Sequence, residues 1–280
     1  MKRAKARRSG GKMKAKRIMK AKRIMEAKSK MKIFFLGTNG WFATRTGSTP
    51  CAAISLPGRL IVLDAGDGFQ RVPALMARLG ISRADIFLSH LHLDHAAGLH
   101  LLPLMRRGMR VRIFVHKGYL PALKRLVAHP YTASAAEQLA KVTLHPLRTG
   151  VSRLPYTVRM LPLDHADPCF GYRFSMEGKE IAYCTDTGPC KNFGRLAKGA
   201  DLLITECTLL PGGHSMPAWP HLSPEMAARL AAGAGAARLV LTHFDAKQQD
   251  GAALRTRAQA AARKTFPRAI AAKDGMVIGI

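Results

Sequence analysis

Acidic side chains are scarce. The chain sets 17 Asp and Glu against 45 Lys and Arg, a formal charge of +28 over 280 residues. That imbalance points to negatively charged partners, drawn by counterion release and long-range steering. Cysteine is as sparse and poorly placed for cross-linking. Cys51, Cys169, Cys184, Cys190 and Cys207 are odd in number, scattered and without a CxxC pair, which argues against a disulfide framework and for reduced thiols in a cytoplasmic protein. No apolar run is long enough for a secretory core or a membrane span, so no membrane partner is expected, although the basic, acid-poor N-terminus leaves an organelle transit peptide open. Apolar residues make up 48% of the composition, enough for one large core or two coupled halves.

Residues 1–30 hold 14 basic residues and one acid, Glu26, so they account for +13 of the charge and the remainder keeps +15. The segment KAKRIM occurs twice in succession, at residues 14–19 and 20–25. This composition builds no core. The tail reads either as a disordered nucleic-acid-binding arm or as an upstream extension of the reading frame, because a clean apolar strand begins at Met31. Residues 31–280 are expected to form a single domain.

Strands are expected at residues 32–36, 51–56 and 60–64, the last two joined by a turn at Pro57-Gly58. Asp64-Ala65-Gly66-Asp67-Gly68 then leads into an amphipathic helix at about 70–79, stopped by Gly80. A strand at 86–88, a helix from Ala96 toward Arg107, a strand at 111–115, a helical stretch at 120–127 and a strand at 141–144 follow. A short strand at 160–163 delivers Asp164-His165, and 171–174 with 181–184 form a hairpin across Glu177-Gly178-Lys179. In the second half a strand at 202–205 ends at Glu206, a helix covers 224–232, and a strand at 239–241 delivers His243. An alanine-rich helix at about 246–264 and a strand at 276–280 close the chain. Strands interleaved with helices, with a hairpin opening each half, predict an α+β architecture: two facing mixed sheets with helices outside.

Residues 84–99, ADIFLSHLHLDHAAGL, read most directly as chemistry. Alternation along an extended segment puts His90 and His92 on one side, and Asp94 and His95 follow where the chain turns toward a helix. Four potential ligands in six residues form a dense metal signature, since imidazole nitrogen and carboxylate oxygen are what zinc takes when thiolate is not used. The plainer alternative is a solvated, His-rich strand end. Three later residues, His165, Asp186 and His243, also sit where a strand gives out into a loop, where a rigid scaffold presents reactive groups.

The run His-x-His-x-Asp-His after an apolar strand resembles the signature of the metallo-β-lactamase superfamily of hydrolases. Leu-Gly-Thr at 36–38 and Leu-Asp-Ala-Gly-Asp-Gly at 63–68 resemble weaker motifs of the same superfamily. The resemblance covers about residues 31–280 and implies an αββα sandwich with its metals at the rim between the sheets. It implies one divalent ion on His90, His92 and His165, a second on Asp94, His95 and His243, and Asp186 bridging both. Zn2+ is the expected metal, with Mn2+ or Fe2+ as alternatives. Such a pair lowers the pKa of a bridging water, supplies metal-bound hydroxide near neutral pH and polarises the substrate oxygen. Asp94 would also orient the hydroxide.

His221, in His-Leu-Ser-Pro-Glu, and Glu206, in Thr-Glu-Cys-Thr, resemble the proton-delivering pair of the ribonuclease Z branch. A departing alkoxide needs a proton, and a His polarised by a carboxylate can give one. A polar residue ahead of a helix is the plainer reading of His221, but Ser223 is the better cap. The branch usually places a His just before the Glu, where this chain has Thr205. Its tRNA-processing members also carry a long arm between the residues matching His165 and Asp186. Only 20 residues lie between them here, and the hairpin uses them. The resemblance therefore implies a metal-dependent, ribonuclease Z-like phosphodiesterase acting on a substrate smaller than, or different from, tRNA. A hydrolase of a lactone, thioester or sulfate ester is the first alternative, and a non-catalytic basic RNA-binding protein the second. RNA contact through the basic surface and tail stays open, as does a homodimer. His100, His116, His129 and His145 read as structural or surface residues, and His214, in the Gly-rich loop 211–216, as a candidate for the pocket mouth.

Overall fold

The computed structural model describes residues 31–133 and 140–280; the expectations for the tail at 1–30 lie outside them. The first half builds one sheet from β1 (Lys32–Gly37), β3 (Cys51–Leu56), β4 (Arg59–Leu63), β5 (Arg83–Phe87), β6 (Arg110–His116) and β7 (Lys141–Leu147), with the two-residue β2 (Asn39–Gly40) lying apart. The second half contributes β8 (Gly150–Arg153), β9 (Thr157–Pro162), β10 (Phe170–Met176), β11 (Lys179–Cys184), β12 (Leu202–Glu206), β13 (Leu239–Thr242) and β15 (Ala269–Ala271) to a second sheet, while β14 (Phe244–Asp245) pairs with β2. Finally β16 (Val277–Gly279) returns to the first sheet, antiparallel to β1. The strand orders are β16-β1-β3-β4-β5-β6-β7 and β15-β13-β12-β11-β10-β9-β8.

Period-two side-chain alternation turns these sheets into three apolar layers. In the middle layer Ile33, Phe35, Ile54, Ile61 and Phe87 meet Tyr172, Phe174, Ile204 and Val240 of the facing sheet. Phe87 stacks on Phe114 at 4.6 Å and meets Phe174 edge-on at 5.0 Å. On the other face of the first sheet Phe34, Leu36, Val62 and Ile113 pack under α1 (Val72–Leu79), the one-turn α2 (Leu93–Ala96) and α3 (Leu120–Leu126). Ala182, Leu203 and Leu241 do the same in the second sheet under α4 (Lys191–Ala197), α5 (Pro224–Gly233) and α6 (Ala252–Arg263). The result is the expected αββα sandwich. Each fully buried large apolar side chain contributes about 1.5–3 kcal/mol, which makes the middle layer the main clamp between the sheets.

Four strands of each sheet, β4 to β7 and then β11, β12, β13 and β15, run parallel. Crevices outside the carboxyl ends of parallel strands are where such sheets place ligands. Those ends carry Asp64, Ser89-His90, Asp186, Glu206 and His243.

The differences from expectation have local causes. The helix expected from Ala96 begins at Leu93 and passes at Ala97 into a 3-10 turn through Leu104 that contains Pro103, which has no N–H to donate. Asp94 and His95 therefore ride on the helical turn rather than precede it. The last helix starts at Ala252 rather than 246, because Asp245 Oδ1 accepts from the amides of Lys247 and Gln248 and holds that segment in a turn. Strands β8 and β15 and helix α4 had no counterpart in the sequence reading. All five cysteines are free thiols, and no helix of the described residues is long and apolar enough to cross a membrane.

Candidate metal centre

Left-handed backbone gathers at the site residues. Asp64, Asp186 and His243 adopt φ values of 57°, 46° and 51°, and Trp41 adopts 73°. These are four of the five non-glycine residues with positive φ among the described residues; the fifth, Glu177, sits beside Gly178 in the β10–β11 turn, where both left-handed positions suit a two-residue hairpin. A left-handed non-glycine residue costs about 1–3 kcal/mol and persists only where its surroundings hold it.

The seven expected ligands converge. One donor atom from each of His90, His92 and His165 lies within 4.8 Å of the other two; the same holds for Asp94, His95 and His243, and for His90, His95 and Asp186, which link the groups. Asp186 divides its oxygens, with Oδ2 3.0 Å from His95 Nε2 and Oδ1 3.1 Å from His243 Nε2. Asp94 Oδ2 lies 3.4 Å from both of those nitrogens.

A partner on the other ring nitrogen orients four of the imidazoles. His92 Nε2 meets Asp167 Oδ2 at 2.8 Å, His95 Nδ1 meets Asp64 Oδ2 at 2.8 Å, His90 Nδ1 meets Ser89 Oγ at 3.0 Å, and His243 Nδ1 meets Thr208 Oγ1 at 3.1 Å. None of these partners was named from sequence as a site residue. Asp64 alone had a signal, its place in the Leu-Asp-Ala-Gly-Asp-Gly motif. It accepts from the Ser89 amide and hydroxyl, the Tyr183 hydroxyl and His95, and is fully buried.

The remaining nitrogens fit a divalent cation. His90 Nε2 and both ring nitrogens of His165 are buried without a hydrogen-bond partner, an arrangement that costs free energy unless something else pairs with them. Burial, joined at His90 by the charge of His95, pulls both rings below their ordinary value, which favours the neutral, lone-pair form that ligates. His95 and His243 go the other way: burial opposes their charge, but Asp186 and Asp94 outweigh it and push both up. Asp94 and Asp186 are correspondingly held below the usual carboxylate range despite burial. In a buried cluster of this kind, protons on imidazole balance carboxylates that a cation would otherwise balance.

Beside the cluster, a cavity of about 500 Å3 is lined by His92, Asp94, His165, Asp186, His221 and His243 among others. His221 Nδ1 lies 2.7 Å from Glu206 Oε1. Glu206, fully buried, also accepts from the amides of Thr187, Thr208 and Leu222. Burial works against a charged His221, yet Glu206 raises it to about 9. Ser223 occupies the N-cap position of α5 without a side-chain cap bond. His214, a candidate for the pocket mouth, is exposed and is not among the residues that line the cavity. His100 meets the Ala97 carbonyl, His116 accepts from the Gly118 amide and His145 pairs with Thr143, local contacts in keeping with structural roles.

Two facing mixed sheets with an imidazole and carboxylate cluster at their shared rim define a metal-dependent hydrolase of the metallo-β-lactamase fold. Residues 59–244 match the family model described as beta-lactamase superfamily domain, and the chain belongs to that superfamily. Its relatives place it near ribonuclease Z. The ribonuclease Z of Nostoc punctiforme is 29% identical over a 309-residue alignment that takes in 88% of this chain and 95% of that protein. The ribonuclease Z of Methanothermobacter thermautotrophicus is 26% identical, with 89% and 97% covered. Among solved structures, the metallo-beta-lactamase fold protein YhfI from Bacillus subtilis superposes with a TM-score of 0.73 at 20% identity, covering 90% of this chain and all of that one. Human tRNase Z, short form, gives 0.64 at 23% identity, covering 88% and 98%. At those identities the structures speak for the fold alone. The 309-residue alignment is longer than the 280 residues of this chain, so that relative carries stretches with no counterpart here.

Proposed function

We propose that this chain is a dinuclear metallohydrolase that cleaves a phosphodiester, with His90, His92 and His165 holding one ion, Asp94, His95 and His243 the other, and Asp186 between them. The all-imidazole and carboxylate donor set suits Zn2+. When bound, the ions supply Lewis acidity toward the phosphoryl oxygens and lower the pKa of water in the site.

The chain's own residues account for the remainder. Asp94, whose Oδ2 accepts the Trp41 amide at 2.9 Å, would orient the attacking water. His221 donates Nδ1–H to Glu206 and lines the cavity, so Nε2 is the nitrogen that can carry a proton to the departing oxygen. Three backbone amides and His221 hydrogen-bond Glu206, which fixes its carboxylate against the ring so that it orients the imidazole and stabilises the imidazolium. This pair carries the proposal, because the alkoxide that leaves a phosphodiester needs a proton, whereas the thiolate of a thioester departs without one. The 20 residues between His165 and Asp186 are spent largely on the β10–β11 hairpin with its two-residue turn. That brevity favours RNA or a nucleotide engaged at its end over one gripped along its body.

Metal content and turnover should be measured together. His92→Ala and Asp186→Ala should lose both bound metal and hydrolysis of bis(p-nitrophenyl) phosphate; undiminished turnover by a metal-free variant would overturn the proposal. His221→Ala should slow cleavage of a dinucleotide. If it does not, and a lactone is turned over much faster, the lactonase reading takes its place.

A further inference from the structure

The chain has two tryptophans, Trp41 and Trp219, and both line the cavity that opens on the metal cluster. Indole is the largest apolar surface a side chain can bury, yet Trp41 is 65% exposed and Trp219 37%. Neither is loosely held. Trp41 keeps its left-handed backbone, and its amide is tied to Asp94. Trp219 pairs with Met216 in an isolated antiparallel bridge, and its ring meets the His221 imidazole edge-on with centroids 4.7 Å apart. Trp219 thus flanks the oxygen that His221 would protonate. Lys247 lines the same cavity, and residues 31–280 carry a formal +15.

We propose that Trp41 and Trp219 are stacking walls for the nucleobases that flank the scissile phosphate of a nucleotidyl phosphodiester. The inference rests on the phosphodiesterase reading and narrows it. Exposed aromatic faces beside cationic groups are how proteins hold single-stranded nucleic acid without reading its sequence, since every base offers a π-face. A strained residue carrying a solvated indole is hard to explain by packing, because Trp41 covers little of the core. It is readily explained if the indole is covered when a base stacks on it. Recognition by these walls would be for a base as such, with little preference among bases.

Calorimetric titration of the purified protein with 5′-AMP and with ribose 5-phosphate isolates the base, because the two ligands share the sugar and phosphate. AMP should bind at least about fivefold tighter, the lower end of a measured stacking contribution. Trp41→Ala and Trp219→Ala should each reduce that ratio, the double variant should bring it to about one, and Trp219→Phe should restore most of what Trp219→Ala loses. Both side chains are exposed, so the variants should keep the fold, which thermal melts check. A ratio near one in the wild type, or a ratio that the double variant retains, overturns the inference. If the ratio behaves as expected but no phosphodiester is hydrolysed, the hydrolase reading fails and the stacking walls stand. Hydrolysis without the ratio has the opposite meaning.

Discussion

His221 and Glu206 show how one contact sets both a pH limb and a stability term. The imidazolium is raised to about 9, above the ~6.5 of an unfolded chain. The pair's stabilisation is therefore complete below about pH 6.5 and is lost as pH rises through about 9. Dinucleotide cleavage should fall along the same alkaline limb, and Glu206→Gln should move that limb toward acid. His221→Ala should cost roughly 100-fold or more on an alkoxide leaving group and much less on p-nitrophenolate, which departs unaided. A second prediction concerns Asp64. Asp64→Asn keeps the shape and tolerates the left-handed backbone but removes the charge that His95 Nδ1 faces; metal affinity, read by chelator competition, should fall about 10- to 100-fold. Four of the proposed ligands were legible as one dense run, His90 to His95, at the end of β5, whereas His165, Asp186 and His243 stand singly at strand ends and were assigned through the family resemblance. Their supports were not. Asp167 lies 75 residues from His92, and Thr208 lies 35 from His243, distances over which sequence carries no pairing signal.

At the scale of elements, the smallest strands have a large geometric role. β2 and β14 pair in parallel, Asn39 with Phe244 and Gly40 with Asp245, and so fasten the loop after β1 to the turn that presents His243. Gly40 lies so close to the His243 ring that any Cβ there would collide with it. Gly40→Ala should displace the imidazole and cost on the order of 100-fold in turnover, the usual effect of an ångström-scale misplacement, with little change in the circular dichroism spectrum. The longer elements were readable for the opposite reason. β1, β3 and β11 are apolar runs bounded by turn residues, and the αββα order follows from them. β8 reads Gly-Val-Ser-Arg with its side chains at least partly exposed, and β15 has three residues, so neither shows a pattern long enough to stand out. Asp245 shortened α6 because a turn-forming carboxylate outcompetes alanine propensity locally.

Across the whole molecule, the cluster joins the two sheets. Asp64 and His95 come from the first, Asp186 and His243 from the second, and Tyr183 of β11 donates to Asp64 across the gap. Metal removal should therefore loosen the sandwich as well as stop catalysis. Titrating Zn2+ into chelator-treated protein to about 100 times its dissociation constant should stabilise it by about 2.7 kcal/mol, a melting shift of roughly 5–10 °C. A shift near zero would separate the cluster from the fold's stability. The strained residues at the rim carry a last consequence, one for protein engineering. Trp41→Gly relieves a left-handed backbone and removes an exposed indole, so it should melt higher than the parent, whereas the same protein should lose its grip on a base. A screen that rewards heat resistance alone would be drawn to this position, and its winners would be sturdier molecules that had surrendered part of their recognition.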